Sequence, residues 1–306
     1  MQTEDLKLTF QKAMDELEDP NGCFLDIDLE NPEFKLELKY SRAEFIQDIN
    51  SAILKYNDSQ RMNYTGLFGF VLEKNEERVT LKGYPSVENI QEETSFPLSK
   101  IYYCVNLFTR ENEIKIKNYP ELAKIMNKIV KVFPEFLTAI GKLQHHTHNY
   151  TVDVHTLKVL QGVMSNEKYK TLPLEDKRAL QTAVLMHDIT KKEGEIDKSH
   201  PVCSAKDTSF ILNRFNIDEN ERKKICLLIR NHDWLERYNK NITSAPELSK
   251  ELKDGNNFLM LCILAEADLK AVQRGGVFYF KYSDVLHKGV QEISALIEIN
   301  NKLNVA

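Results

Sequence analysis

The chain has 306 residues, of which 42% are hydrophobic and 28% charged, and its net charge is −5. These values are typical of a soluble globular protein of about two domains. The acidic balance argues against a broad basic face for nucleic acid, and no apolar run approaches the roughly 20 residues that span a bilayer. The five cysteines are far apart and include no Cys-x-x-Cys pair, which favours reduced thiols and a cytoplasmic location.

The N-terminal part predicts mixed α and β structure. Apolar residues at helical spacing predict a helix over Thr3–Glu18, ended by Asp19-Pro20-Asn21-Gly22. Alternating apolar residues predict two strands, at 25–29 and 34–40, that pair as a hairpin. The remaining elements predicted for this part are a helix at 42–56, strands at 66–72, 79–82, 101–108 and 113–117, and a turn at 109–112.

From about residue 119 onward the strand signal nearly vanishes and helical periodicity dominates. We therefore predict an α+β fold, with a mixed α/β domain of unknown role at 1–125 and an all-α helical domain at 126–306. No Gly/Ser-rich linker separates the two parts, so we expect them to pack together. The N-terminal domain is a candidate for restricting access to a site, for homodimerisation or for sensing a ligand.

Four helical stripes each place one ionisable side chain where an apolar residue should face the core. These side chains are His155, His187, His232 and Asp268. One such residue is explained by a hydrogen-bonded core histidine. Four from four helices are costlier, since an unpaired buried polar group costs roughly 1–3 kcal/mol. A divalent cation that takes their lone pairs would remove this cost, so the pattern favours a metal site.

Local motifs sharpen this interpretation. His187-Asp188 ends an apolar helix and is followed by Lys191, which gives an HDxxK motif, and His200-Pro201 follows downstream. The order of His155, this pair, His200, His232 and Asp268 resembles the HD superfamily of metal-dependent phosphohydrolases. The segments GKLQHHTHNYTVDVHTLKVL, AVLMHDITK, SHPVCSA and AEADLKAV resemble one branch of it, the HD domain of the bacterial uridylyltransferase/uridylyl-removing enzymes.

This resemblance covers residues 140–290, about half the chain. Residues 1–130 show no Gly-Ser motif followed by paired carboxylates, which the nucleotidyl-transferring domain of those enzymes requires. The resemblance therefore does not imply uridylylation. It implies an all-helical HD domain that hydrolyses a phosphomonoester or phosphodiester bond.

The resemblance also implies a ligand set. One divalent ion would be held by His155, His187, Asp188 and Asp268. His200 and His232 would bind a second ion bridged by Asp188, or would contact phosphate in a one-metal site. Mixed nitrogen and oxygen ligands do not select among Mn, Fe, Zn, Ni and Mg.

The implied chemistry is attack of a metal-activated water on a nucleotide or nucleotidyl substrate, with Asp188 and Lys191 as catalytic residues. Lys191 lies four residues beyond His187, so on a continuing helix its ammonium would share that face and bind phosphate. Otherwise it is a solvated surface lysine. Lys270, Arg274 and Lys281 are candidate substrate-binding cations or, alternatively, surface charges.

Several other polar or aromatic residues have two interpretations each, one at the site and one structural. His145, His146 and His148 are crowded, but we expect two of them to start a helix or support the site instead of binding metal. Asp153 accepts the second N–H of a ligand histidine, or is solvated. Trp234 stacks on a base or lies in the core, and the core is the favoured place.

The expected partner is a small phosphate or nucleotide substrate, with no membrane and no nucleic acid. The main alternative function is a regulatory HD module that binds a nucleotide or metal without turnover. A two-iron oxygenase is a further possibility on this scaffold, although the HDxxK lysine favours phosphate chemistry. A helical repeat protein is excluded because no internal repeat is evident.

Overall fold

The computed structural model describes residues 3–19, 21–22, 24–38, 63–64, 70–74, 77–81, 113–213, 215 and 217–303, and this part of the chain is mostly helical. The α-helices are α1 (Thr3–Glu18), α2 (Pro120–Val132), α3 (Val152–Met164), α4 (Glu167–Lys170), α5 (Leu174–Met186), α6 (His200–Leu212), α7 (Glu219–Arg230), α8 (Trp234–Asn239), α9 (Ala245–Leu252), α10 (Gly255–Val272) and α11 (Val277–Leu303). The described ranges also contain three short 3₁₀ segments, at Phe24–Asp26, Pro134–Ala139 and Arg274–Gly276.

The strands within the described ranges form two small antiparallel sheets. They are β1 (Leu36–Leu38), β2 (Asn63–Tyr64), β3 (Phe70–Lys74), β4 (Glu77–Leu81) and β5 (Ile114–Ile116). β1 pairs with β5, and β2, β3 and β4 form a meander in that order. The first sheet places Leu36 opposite Ile116, and both are buried against the rest of the molecule.

The predicted hairpin of strands 25–29 and 34–40 is wrong. Its first half is the 3₁₀ turn Phe24–Asp26, in which Ile27 N donates to Phe24 O at 3.3 Å. Short aspartate side chains compete with a strand here, because the Asp28 carboxylate accepts from the Glu30 backbone N–H at 2.9 Å. The second half forms β1, but its partner is the distant β5 instead of its neighbour in sequence.

Other predictions for the N-terminal part are confirmed where the structure describes them. The helix Thr3–Glu18 has the predicted bounds, and the strand predicted at 113–117 is β5. The strands predicted at 66–72 and 79–82 overlap β3 and β4. The predicted elements at 42–56, 101–108 and 109–112 lie outside the described residues. The domain boundary at 125/126 stays a prediction, and α2 runs across it.

The central helix of the helical half is α10, which packs against α3, α7 and α11. A close crossing between α3 and α10 occurs at Gly162, where an added Cβ would lie 3.2 Å from Ala267 Cβ. Glycine therefore lets the two backbones approach. Since His155 lies two turns before Gly162 and Asp268 directly follows Ala267, this crossing also brings those two side chains to the same place.

Trp234 lies in the core, with none of its surface exposed, which confirms the favoured of its two interpretations. Of the cysteines in the described segments, Cys203, Cys226 and Cys262 are thiols and not disulfides. Every helix in the described ranges is too short or too polar to serve as a membrane-spanning segment.

Asp207 on α6 is a buried carboxylate whose two oxygens accept no hydrogen bond from the described residues. Burial raises the pKa of Asp207 well above its usual range, Lys206 opposes this, and Glu135 adds to it. A carboxyl group whose pKa is raised by folding destabilises the native state increasingly as the pH rises from its unfolded pKa to its folded pKa.

Replacing this carboxyl group should therefore stabilise the protein at high pH. We expect Asp207→Asn to raise the free energy of unfolding by about 1–2 kcal/mol at pH 8, or roughly 2–6 °C in Tm. The difference should shrink toward pH 4, measured by thermal unfolding across this range. Asp284→Asn, at an exposed aspartate, is the control. A variant that is no more stable than the wild type at pH 8 would contradict the prediction.

Candidate metal centre

Six side chains from five separate segments converge in the helical half. Asp268 lies within α10, His155 lies in the first turn of α3, and His200 is the first residue of α6. His187 and Asp188 follow the end of α5, and His232 follows the end of α7. All except His200 and Asp268 are buried among the core residues, and Asp268 keeps only 19% of its side chain exposed. The structure thus brings together all six predicted ligands.

Each of the four histidines turns Nδ1 toward a backbone carbonyl. His187 Nδ1 lies 2.7 Å from Val184 O, and His232 Nδ1 lies 2.8 Å from Ile229 O. His155 Nδ1 lies 3.3 Å from Ala271 O, and His200 Nδ1 contacts Asp197 O. A carbonyl only accepts, so these contacts fix the proton on Nδ1. The Nε2 lone pairs are then left to face one another.

One group of ligand atoms gathers at Asp188 Oδ2. His155 Nε2 lies 3.6 Å and His187 Nε2 lies 3.5 Å from this oxygen, and the two Nε2 atoms are 3.4 Å apart. Asp268 joins the same group, with Oδ1 2.9 Å from His155 Nε2 and 4.0 Å from His187 Nε2. The spacing of His155, His187 and Asp188 suits ligation of one metal ion.

A second group gathers at the other oxygen of the same carboxylate. His200 Nε2 lies 3.1 Å and His232 Nε2 lies 3.8 Å from Asp188 Oδ1, and the two Nε2 atoms are 3.1 Å apart. These three residues also have metal-ligand spacing. Asp188 therefore faces one histidine pair with each oxygen, which is the arrangement of a carboxylate shared by two sites.

The charges around Asp188 keep it ionised. Burial raises the pKa of this carboxyl group, but Lys191 above all, with His187 and His200, holds the pKa well below its usual range. Burial likewise raises the pKa of Asp268, and the hydrogen bond and charge of His155 more than reverse it. Burial lowers the pKa of His187 to about 4 and also lowers that of His232. The centre therefore holds two ionised carboxylates and, at His187 and His232, neutral imidazoles, the forms that ligate a metal. Burial also acts to lower the pKa of His200, but Asp188 raises it above its usual value.

Lys191 lies at the centre, but the backbone that places it there is not the predicted continuation of the helix. Helix α5 ends at Met186, so the helix does not continue from His187 to Lys191. A turn brings Lys191 Nζ to 2.8 Å from Asp188 Oδ2, and the lysine is 8% exposed. The surface alternative is thus wrong. Thr190 fixes the turn to α6, with its hydroxyl 3.1 Å from His200 O and 2.9 Å from Ser204 Oγ.

The three other predicted substrate-binding cations are not brought into this cluster. Lys270 pairs with Glu266 at 2.7 Å and lies over the Tyr279 ring, on the face of α10 opposite Asp268. Two residues along a helix differ by about 200°, which explains the placement. Arg274 lies in the 3₁₀ turn after α10, where its backbone N–H donates to Asn149, and Lys281 is exposed beside aromatic rings of α11.

Both interpretations of Asp153 are wrong. This aspartate is 1% exposed, so it is not solvated, and the Nδ1 atoms of the four histidines all face carbonyls instead. Burial raises its pKa to about 6. Because Asp153 lies in the first turn of α3, its side chain faces the preceding loop, where the Gly141 backbone N–H and Thr151 contact it.

Two residues at the centre's edge were not assigned by sequence reasoning. His148, one of three crowded histidines, places Nε2 3.4 Å from Lys191 Nζ and its ring 5.7 Å from that of His155. Burial, and then Lys191, lower the pKa of His148 to about 3. Lys142 is buried and donates to Lys191 O at 3.0 Å. The crowding of histidines at 145–148 was a sequence signal for His148, whereas nothing in the sequence indicated Lys142.

The donor set fits a divalent cation. Asp188 Oδ1 is buried and has no hydrogen-bond donor of good geometry among the described residues, although two Nε2 atoms face it. Imidazole nitrogens that carry lone pairs repel one another and a carboxylate unless a proton or a cation lies between them. Imidazole and carboxylate ligands suit Mn, Fe, Zn and Ni, and Mg less well.

Comparison with known proteins finds distant relatives with one shared name, bifunctional uridylyltransferase/uridylyl-removing enzyme. The chain is 24% identical over 180 residues to that of Erythrobacter litoralis (strain HTCC2594), covering 52% of this chain and 19% of the relative. It is 26% identical over 161 residues to that of Azospirillum brasilense, covering 47% and 17%. For Haemophilus influenzae (strain PittEE) the identity is 29% over 140 residues, covering 42% and 16%.

The similarity to these enzymes therefore extends over about half of this chain, as the sequence motifs predicted, but over less than a fifth of the relatives. No family model matches the chain, and no solved structure matches it. These distant relatives are enzymes, which is consistent with an enzymatic role for this chain.

Metal binding should be measurable directly. We expect Mn²⁺ or Zn²⁺ to raise Tm, with a stabilisation of about 2.7 kcal/mol at a hundredfold excess over Kd. His187→Ala should abolish the gain, and His287→Ala, at an exposed histidine of α11, should keep it. His232→Ala should lose one of two bound ions in elemental analysis if both groups bind. A Tm unaffected by any divalent ion would contradict the metal centre.

Proposed function

We propose that the protein is an HD-type metal-dependent phosphohydrolase that cleaves a phosphomonoester or phosphodiester bond of a nucleotide or nucleotidyl substrate. The observation that carries the proposal is the shared carboxylate, Asp188, which presents one oxygen to each of two histidine pairs whose tautomers are fixed. The residues proposed to hold one or two divalent ions are His155, His187, Asp188, His200, His232 and Asp268.

A bound divalent ion would supply a water of lowered pKa as nucleophile and would offset charge on the phosphoryl oxygens. The protein's own residues do the rest. Asp188 and Asp268 are held ionised, and the carbonyl contacts of the histidines fix their Nε2 atoms toward the centre. Lys191 places an ammonium 2.8 Å from Asp188, where it can meet an anionic phosphoryl group and stabilise its charge.

The relatives' name includes removal of a uridylyl group, which is cleavage of a phosphodiester bond to a nucleotide. This supports a nucleotidyl substrate for the present site. Arg274 and Lys281, with Lys270, remain candidates for contacts to the outer parts of such a substrate. The proposed organisation is an N-terminal α+β domain at 1–125, which could form a homodimer, and a helical HD domain at 126–306 in the cytoplasm.

Hydrolysis should depend on the centre. We expect the protein with Mn²⁺ to hydrolyse bis-p-nitrophenyl phosphate or a member of a nucleotide panel. His187→Ala and Asp188→Ala should each lower kcat/KM by at least about a thousandfold, because each removes a ligand. The control is His287→Ala. Activity that survives both changes would contradict the proposal. Nucleotide-induced stabilisation without any product would instead identify the regulatory binding module.

The buried lysine should matter more than the exposed ones. Lys191→Met removes the ammonium beside Asp188, and we expect kcat/KM to fall roughly ten- to a hundredfold, as for loss of one charge-assisted contact. Lys288→Met changes an exposed lysine of α11 that pairs with Glu292 and has no proposed role at the centre, so the effect should stay within about twofold. Equal effects of the two substitutions, measured by steady-state kinetics, would contradict this role for Lys191.

A further inference from the structure

The loop 141–149 lies along the segment that carries Lys191. Lys142 Nζ donates to Lys191 O at 3.0 Å, and Gly194 N donates to Leu143 O at 3.1 Å. At its other end the loop contacts the residues after α10, since Asn149 N donates to Val272 O at 3.1 Å. This loop therefore connects Lys191 to the end of the helix that carries Asp268.

His148 is the residue of this loop that meets the Lys191 side chain. An ammonium only donates, so Lys191 Nζ donates to His148 Nε2 across 3.4 Å. The proton of the neutral ring is then on Nδ1, which lies 3.2 Å from Thr147 Oγ1. The Thr147 hydroxyl in turn lies 3.2 Å from His145 Nδ1. A chain of hydrogen bonds thus fixes the ring of His148 from the side away from the lysine.

The ring of His148 is also fixed by packing. It meets the ring of His155 edge to face, at 79° and 5.7 Å between centroids. His148 therefore touches two residues of the centre while its own Nε2 is turned to the lysine. Asp188 Oδ2 and His148 Nε2 together take two of the three donors of the ammonium, which leaves one direction for a phosphoryl oxygen.

We propose that His148 is a positioning residue that holds the Lys191 ammonium at the centre, in the direction from which it binds the phosphoryl group of the substrate. The kinetic effect expected for His148 rests on the proposed function, whereas the contact between His148 and Lys191 does not. His148 acts through Lys191 and is not a metal ligand, because its Nε2 lone pair is directed to the ammonium. His146 is the matched comparison, since it lies in the same loop and is exposed, with its ring tilted against that of His145.

The kinetic test is a double-mutant cycle. We expect His148→Leu to lower kcat/KM about tenfold in the wild type, and to have no further effect in Lys191→Met. The division of the loss between kcat and KM should match that of Lys191→Met. His148→Gln should recover most of the activity, because its amide oxygen can accept from an ammonium. His146→Leu should behave as the wild type.

Two results would overturn the inference. An undiminished effect of His148→Leu in the Lys191→Met background would show that His148 acts on the substrate directly. A loss of bound metal from His148→Leu, measured by elemental analysis, would show that His148 is a ligand.

A second measurement separates this inference from the proposed function. Acetylation of lysines by an N-hydroxysuccinimide ester, followed by peptide mass spectrometry, reports how firmly each side chain is held. We expect Lys191 to react several-fold faster in His148→Leu than in the wild type or His146→Leu, because its ammonium loses one of two acceptors. Unchanged labelling of Lys191 contradicts the inference. Faster labelling in a protein that hydrolyses nothing supports the contact and rejects only the phosphohydrolase.

Discussion

The structure of the helical half depends on the burial of one ionised carboxylate, Asp188. A buried charge is tolerated only when both oxygens have partners, and removing one partner typically costs about 3–5 kcal/mol. Here Lys191 donates to Oδ2, and one histidine pair faces each oxygen with Nε2 atoms that become partners of the carboxylate through a proton or a cation between them. Several helices have their ends at this point because each must deliver one of these partners.

Contacts between Nδ1 and carbonyls at helix ends orient three of the four imidazoles. The last carbonyls of a helix have no partner within it. His187 and His232 each follow a helix and take a carbonyl three residues back, from Val184 and Ile229. His155 takes that of Ala271, in the last turn of α10. Each contact therefore ties a ligand to a helix end and sets its tautomer, so the geometry of the centre follows from where the helices stop.

The apolar periodicity of the sequence was sufficient to find part of the centre. It marked His155, His187, His232 and Asp268, because a polar residue on a core-facing stripe is visible without a structure. Asp188 and His200 lie at helix ends, where periodicity carries no information, and came only from the motif resemblance. The partner of each Nδ1 could not be predicted, since it depends on which backbone carbonyl lies beside the imidazole once the helices have packed. Lys191 was found for a wrong reason, because the helix stops before it.

In the N-terminal part, local pattern was enough for α1 but not for the strands. Alternation at 25–29 resembles a strand, yet the aspartates there form turns and β1 pairs with the distant β5. Long-range pairing of short strands is decided by tertiary packing, which no local window contains. Helix α1 carries Glu18, which accepts from Gln181 on α5, the helix that ends immediately before His187. The two parts of the chain are thus joined directly at an element of the candidate centre.

The charges of the centre favour an anionic substrate only when cations are bound. Asp188 and Asp268 are ionised. Among the described residues, the groups beside them that carry or favour positive charge are Lys191 and His200, whose pKa Asp188 raises against the effect of burial, so the protein alone presents no excess of positive charge there. His187 and His232 add no charge, because burial keeps them neutral. One divalent ion makes the centre positive, and two make it strongly so. A phosphate group would then be attracted to the site in proportion to its metal content, which couples binding of the substrate to binding of the ions.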